Sequence, residues 1–349
     1  MVTAIGIDPH KATHVATAVD GNGAHLADLR VKARDSGHVE LIGWARREFP
    51  GERLWAVEDE RNMAGRLLRD LLAAGERVVT VPAHLAVEYR KRGRKRGKSD
   101  KIDALAVART ALREQLHQFH LDQASRDIKS LSDYRTALTE ERTRAQNRLR
   151  DLLHQLDPDL AASIPSSGLT RYVWLDMITN QYTGQSGVPV SIVLDLTQTC
   201  RDLTIKINKL AKQLSGLLAT VAQPLIGLPG CGEITAAVIV GEVAGVQRFR
   251  SSEALASYAG IAPLDASSGQ DNSHHRLNRG GNRRLNWAIH MIAITQLRLH
   301  QPARDYYDRR IRQGSTRKVA IRALKRLIIR RIFDLLRRAT ATTLTTATT

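Results

Sequence analysis

The sequence predicts an α/β domain followed by mostly helical chain, and three observations carry that prediction. Short β-branched runs crowd the first eighty residues, long amphipathic stretches fill the middle, and acids sit at the ends of the predicted elements in a chain of net charge +18. The first two runs are Ala4 to Asp8 and Thr13 to Val19, and Asp20-Gly21-Asn22-Gly23 is a hairpin turn leading into a third through Leu29 and Val31. A helical pattern follows from about Ser36 to Phe49, then a strand over Leu54 to Glu58 and a helix from about Met63 to Ala74. A strand over Arg77 to Val81 and a helix from about Lys101 to Arg113 complete the series. Three antiparallel strands followed by helical crossovers, in the succession βββαβαβα, form the ribonuclease H-like arrangement.

The rest of the chain reads as helix. Ser125 to Gln155 carries Ile128, Leu131, Tyr134, Leu138, Leu149, Leu152 and Leu153 at helical spacing, and Val190 to Val221 carries Leu194, Leu196, Leu203, Ile207, Leu210, Leu214 and Leu218. Pro158, Pro165 and Gly168 interrupt the first, and Tyr182 to Gly187 reads as loop. These helices suit packing on each other or on a partner chain, and the spacing does not choose. A new unit begins near Leu225, where Ile226-Gly227-Leu228-Pro229-Gly230-Cys231-Gly232 precedes the apolar run Ile234 to Val243. Its glycines resemble a helix-hairpin-helix turn that admits a phosphate to backbone amides, and the run also fits an ordinary buried helix. Leu324, Leu327, Ile328, Phe333 and Leu336 give the last helix an apolar stripe opposite Arg317, Lys318 and Arg322. The expected division is 1–115, an α/β domain; 116–222, a helical linker suited to oligomerisation; 223–338, a helical C-terminal domain; and 339–349, a disordered low-complexity tail.

Composition narrows the partners. Lys and Arg number 53 against 35 acids, with a pI near 10.4, so DNA, RNA or an anionic membrane is the natural counterpart. A membrane is the weaker choice, because no stretch approaches the roughly 20 apolar residues a span needs and Asp8 and His10 interrupt the N-terminal run. The expectation is a soluble, cytoplasmic, nucleoid-associated protein. Cys200 and Cys231 lie in neither a CxxC pair nor ligand spacing with histidine, which argues against a disulfide framework or a structural zinc.

Acids gathered in so basic a chain point to a hard cation held against a phosphodiester. Asp8 ends the first strand and Glu58 the fourth, neighbours in a ribonuclease H-like sheet, so both carboxylates leave at one end. Asp100 and Asp103 open a helix three residues apart, with Cβ atoms about 5–6 Å apart on one face. Four oxygen donors from three elements suit Mg²⁺, with Mn²⁺ as a substitute. Two such ions about 3.5–4 Å apart can activate the attacking oxygen and stabilise the leaving one in phosphoryl transfer. Taken singly, a strand-end Asp or an Asp-x-x-Asp pair is more often a cap or dipole partner. Asp59 and Glu60 compete with Glu58 by position, and strand alternation favours Glu58.

Seven of the nine residues from Arg90 to Lys98 are basic: Arg90, Lys91, Arg92, Arg94, Lys95, Arg96 and Lys98. Charges this dense repel unless a polyanion lies among them, so the segment reads as a nucleic-acid contact beside the acids, with a solvated linker as the alternative. Farther on, Ser267 and Ser268 precede Gly269, and His274, His275, Arg276, Arg279, Arg283 and Arg284 follow among glycines and asparagines. A turn serine facing cations can attack a phosphodiester, although Ser-Gly in a loop is commonplace. The His-His-Arg run reads as a phosphate-contacting loop rather than a zinc site, since no further ligand stands at suitable spacing.

Taken together, these motifs resemble a known family. Gly-Ile-Asp8-Pro-His-Lys, a strand ending in Glu58, Gly-Lys-Ser-Asp100-Lys-Ile-Asp103-Ala, Leu-Pro-Gly-Cys-Gly, Tyr-Ala-Gly-Ile-Ala-Pro, Ser-Ser268-Gly and His-Arg-Leu-Asn-Arg-Gly-Gly-Asn-Arg-Arg-Leu are similar to the DEDD transposases of the insertion-sequence 110 type, from Met1 to about Arg338. The resemblance implies a RuvC-like N-terminal domain whose Asp8, Glu58, Asp100 and Asp103 bind Mg²⁺. It also implies a C-terminal transposase domain whose Ser268, or alternatively Ser267, joins DNA covalently. It further implies a homo-oligomer, dimer or tetramer, acting on element ends and target DNA under a structured bridge RNA. One departure is Asp59-Glu60-Arg61 after the glutamate, where the family has small residues and glycine. Three other classes remain: a Holliday-junction resolvase using water as nucleophile, a catalytically silent RNA-binding protein, and an actin-like sugar kinase. The kinase would need an Asp-x-Gly-x-Gly phosphate loop, which this sequence lacks.

Overall fold

The computed structural model describes the chain except Met1, 59–62, 82–84, 87, 88, 90–98, 117, 120, 121, 266–274, 278–280 and 347–349, and describes backbone alone at 263–265, 275–277 and 341–346. The chain divides into two compact units, Met1–Leu121 and Asp122–Thr349.

In the first unit β1 (Thr3–Pro9), β2 (Thr13–Val19), β3 (His25–Lys32), β4 (Arg53–Glu58) and β5 (Val78–Val81) form one sheet in the order β3-β2-β1-β4-β5. β1 to β3 are antiparallel, and β4 and β5 run parallel to β1. This is the ribonuclease H-like order the sequence predicts. The β2–β3 turn closes because Asp20 Oδ1 accepts from Asn22 N at 2.9 Å and Ala24 N at 2.8 Å, while Gly23 takes φ +81°. α1 (Asp35–Glu48) and α2 (Gly65–Ala73) cover one face, where Ile5, Ile7, Ala16, Trp55 and Val57 meet Leu41, Leu67, Leu68 and Leu71. The three α2 leucines are fully buried, each stabilising by about 1.5–3 kcal/mol. α3 (Asp100–Arg113) covers the other face with small residues, Ala104, Val107, Ala108 and Ala111.

Gly6 sets how closely α3 approaches. A Cβ there would lie 2.1 Å from Ala104 O and 2.4 Å from Ala108 N, so the helix rests on the bare backbone of β1.

The second unit is built on α4 (Gln123–Leu156) and α7 (Val188–Val221), 34 residues each and antiparallel. Leu138 meets Leu203, Ile207 and Leu210, and Leu149 and Leu153 share a cluster with Val193 and Cys200. The apolar seam of these helices is therefore filled within the chain. α5 (Pro158–Ser163) and α6 (Tyr172–Tyr182) close one end.

At the other end lie α8 (Gln223–Ile226), α9 (Glu233–Val243), α10 (Ser252–Tyr258), α11 (Arg283–Leu299), α12 (Gln301–Arg312) and α13 (Arg317–Thr346). α9 is buried from Ala236 to Val243, which explains its apolar run from Ala236 to Val240. The glycine turn before it packs on α11: Gln296 Nε2 donates to Pro229 O at 2.8 Å, and Gly230, at φ +80°, lies against Ile292 O. α13 continues to Thr346, helical where the sequence predicts a disordered tail from Ala339. β6 (Pro263–Asp265) and β7 (His275–Leu277) pair antiparallel, a ribbon where the sequence reads only as turn. Three-residue strands carry too little alternation to be seen in sequence.

Candidate metal centre and nucleic-acid interface

The acids of the first unit are placed by strand register and one helix contact. Ile7 of β1 pairs with Val57 of β4 in parallel, so Asp8 and Glu58 are the next residues on adjacent strands, at the same end of the sheet. Asp8 shares a face with Gly6, the face on which α3 lies. Ser99 Oγ caps α3 by accepting from Ile102 N at 3.4 Å, and Asp100 and Asp103 occupy the first turn, where the helix dipole favours negative charge. Asp103 is buried, Asp100 part-exposed.

His10 stands between two of these carboxylates. Its Nε2 lies 3.2 Å from Asp8 Oδ2 and 3.4 Å from Asp100 Oδ1, and donor atoms of all three residues fall within 4.8 Å of one another. Arg30 of β3 donates to the other oxygen of Asp100, and Lys101 pairs with Asp28 at 3.1 Å. Burial raises the Asp8 carboxyl above its ordinary range; the Asp103 and Asp100 charges push the same way and His10 pushes against them. The net shift means that the protein alone does not compensate the Asp8 charge. A divalent cation would, and hard oxygen donors with one imidazole suit such an ion. Of the four acids proposed from sequence, Asp8 and Asp100 meet at His10, which the sequence reading did not name among the site residues, nor did it name Arg30. His10 stood two residues past Asp8 in the same motif, whereas Arg30 belongs to a strand whose position is set by the sheet. A second group, Asp35, His38 and Asp70, is internally paired: His38 Nδ1 bonds Asp70 at 2.5 Å and Arg66 bonds Asp35.

Arg90, Lys91, Arg92, Arg94, Lys95, Arg96 and Lys98 lie outside the described residues, as do Asp59, Glu60, Ser267, Ser268, His274 and Arg279; the side chains of His275 and Arg276 do too. Both ends of the serine-bearing segment are described, and they meet. A Cβ on Gly281 would lie 2.3 Å from the Gly260 backbone, Asn282 N donates to Tyr258 O at 2.7 Å, and Asn286 Nδ2 donates to Ala259 O at 2.8 Å. Asn282 Oδ1 also caps α11 at Leu285 N, while its Nδ2 donates to Glu242 at 2.6 Å. Glu242 is buried; Lys129 Nζ donates to it at 2.5 Å, and Arg284 approaches it at 3.7 Å while bonding Asp133. A buried carboxylate thus ties the closing stem to α4. Arg284 is engaged in that network, whereas Arg283, Arg317, Lys318 and Arg322 are exposed.

Residues 5–158 match the transposase profile of the DEDD IS110 type, and residues 222–308 match the profile of the transposase IS116/IS110/IS902 family. The chain belongs to the IS110-type DEDD transposases. Its relatives include the 44.8 kDa protein of insertion element IS116 from Streptomyces clavuligerus, 28% identical over 95% of this transposase and 94% of that protein. Another is the 42 kDa protein of insertion element IS900 from Mycobacterium paratuberculosis, 25% identical over 95% of each chain. Thermus thermophilus RuvC aligns at 20% identity with a TM-score of 0.25, covering 32% of the transposase and 93% of RuvC. The strand order carries the ribonuclease H/RuvC-like assignment. Family membership implies an enzyme that cleaves and recombines DNA. Among the described residues no helix of the transposase is long and apolar enough to cross a membrane.

Proposed function

We propose that this transposase cuts and rejoins the DNA of an insertion sequence with a Mg²⁺-binding Asp8, Glu58, Asp100 and Asp103 set and a Ser268 nucleophile. The observation that carries the metal reading is the convergence of Asp8 and Asp100 on His10, beside a buried Asp103, with the Asp8 carboxyl raised by burial and by the neighbouring Asp103 and Asp100 charges. A divalent ion held there, Mg²⁺ or Mn²⁺, would supply Lewis-acid stabilisation of charge on the phosphate oxygens. Arg30 and His10 orient the two outer carboxylates toward that position.

The covalent step belongs to Ser268. Its Oγ attacks the phosphorus, the bond to the adjoining nucleotide breaks, the serine proton leaves to solvent or a basic group, and the departing oxygen gains one. The phosphoserine bond keeps the energy of the broken linkage, so an incoming strand hydroxyl reverses the step without an external energy source. Contacts to the backbone come from Arg283, Arg317, Lys318 and Arg322 and from His274, His275, Arg276, Arg279 and Arg284 in the second unit, and separately from the Arg90–Lys98 stretch in the first. The family resemblance supports a structured guide RNA and a dimeric or tetrameric assembly.

The test is recombination of a plasmid carrying the element's own ends and flanking noncoding DNA with Mg²⁺, comparing wild type and Ser268→Ala and probing for protein bound covalently to DNA. An adduct lost in Ser268→Ala is the expected result. Cleavage that survives the substitution without an adduct makes this a RuvC-like nuclease using water.

A further inference from the structure

α11 shows two unlike faces. Leu285, Ala288, Ile289, Ile292, Ala293 and Gln296 are buried, while Arg283, Trp287, His290, Met291 and Arg298 share the exposed face. Trp287 is 49% exposed, against 9% for Trp44 and 0% for Trp55. A large indole left in water is unusual, and it gains most from a flat apolar partner.

Its surroundings specify that partner's charge. α11 contains no Asp or Glu. Arg283 stands one turn before Trp287 on the same face and Arg298 three turns after it. On the flank, Arg322 of α13 is exposed and lies near the buried Lys325, whose Nζ donates to Asn286 Oδ1, beside Trp287 in sequence. An aromatic plate framed by cations matches an unpaired nucleobase with phosphates on either side, the stacking mode of single-strand binders. The helix also begins where the serine-bearing segment ends, at the Asn282 cap.

We infer that Trp287 is a stacking platform for an unpaired base of the DNA undergoing recombination, with Arg283 holding the adjacent phosphate. Paired bases in an intact duplex present no free face to the indole, so the contact selects opened DNA. The inference rests on the recombinase reading for the source of the unpaired base; the contact itself is read by binding alone, whatever the fate of Ser268→Ala.

The experiment titrates the full chain with dye-labelled 20-mers of single-stranded DNA, duplex DNA and single-stranded RNA, using wild type, Trp287→Ala, Trp287→Phe and Arg283→Gln. Trp287→Ala is expected to weaken single-stranded DNA about tenfold or more while duplex affinity stays within about twofold. Trp287→Phe should recover most of the loss, and Arg283→Gln should lower the salt slope by about one. Matching circular dichroism and melting curves for wild type and variants establish that the variants fold. Equal losses on single strand and duplex, or no loss, overturn the inference, as does a loss on RNA alone. Dissociation of an oligomer by Trp287→Ala in light scattering, with DNA affinity unchanged, assigns the face to a second copy of the chain and also overturns it.

Discussion

Substituting Gly6 by alanine tests whether the contact between α3 and β1 assembles the acidic cluster. The added Cβ would sit 2.1 Å from Ala104 O, 2.4 Å from Ala108 N and 2.9 Å from Ala108 Cβ. Carbon contacts relax to about 3.5–4.0 Å, so the helix must withdraw by about 1 Å or more. The blocking atoms are backbone and have no rotamer to change. Overpacking costs about 1–3 kcal/mol, and a rigid obstacle places this substitution near 3 kcal/mol, on the order of 10 °C in Tm for a unit of this size. Withdrawal also carries Asp100 and Asp103 away from Asp8, so Mn²⁺ affinity should fall with stability. The assay pairs urea unfolding followed by tryptophan fluorescence with Mn²⁺ binding followed by electron paramagnetic resonance. Gly21→Ala is the control, because its Cβ would meet only Val2 O, at 3.8 Å. A Gly6→Ala midpoint and Mn²⁺ affinity equal to those of Gly21→Ala would refute the reasoning.

Other consequences follow from charge. A carboxyl whose folded pKa exceeds its unfolded value destabilises the fold once ionised, so Asp8→Asn should raise Tm in metal-free buffer at pH 7, an advantage that shrinks on acidification. Mg²⁺ should raise the Tm of wild type in thermal scans, and the same substitution should abolish that gain. Burial alone would raise Glu76, but hydrogen bonds from Arg53, Trp55 and Arg46 hold it below its ordinary 4.5. Its contribution is therefore complete above pH 4.5 and lost as pH falls through the folded value. Glu76→Ala should cost about 3–5 kcal/mol at pH 7 and much less near pH 3 in urea titrations, because it strands Arg53 and Trp55 Nε1. Glu242→Ala should cost about 1–3 kcal/mol by removing the buried acceptor of Lys129 and Asn282 Nδ2 while Asp133 still pairs with Lys129 and Arg284, with faster amide exchange at Tyr258 to Gly260 and at Asn282.

The first unit was largely legible because its signals are local. β-branched runs, the Asp20 to Gly23 turn and the Ser99 cap each declare an element within a few residues. The second unit was legible as helices but not as an arrangement, since an amphipathic stripe records that a face is buried and not against what. The seam between α4 and α7 illustrates this: Leu138 and Leu203 give no sign in sequence that they face each other. The β6–β7 ribbon and the helical continuation of α13 to Thr346 were missed, being short in one case and compositionally featureless in the other.

By itself the sequence determined the strand series, the placing of Asp8 and Glu58 at strand ends and of Asp100 and Asp103 in the first turn of a helix, the cationic surplus and the motifs that mark the family. Tertiary structure alone decided that His10 and Arg30 join the acids, that Gly6 brings α3 onto β1, that Glu242 fastens the stem beyond the serine, and that Trp287 faces solvent. The physical reason is range. Helix caps, turns and hydrophobic periodicity act over a handful of residues, whereas carboxylate geometry and burial depend on residues 20 to 150 positions apart meeting through strand register and backbone approach.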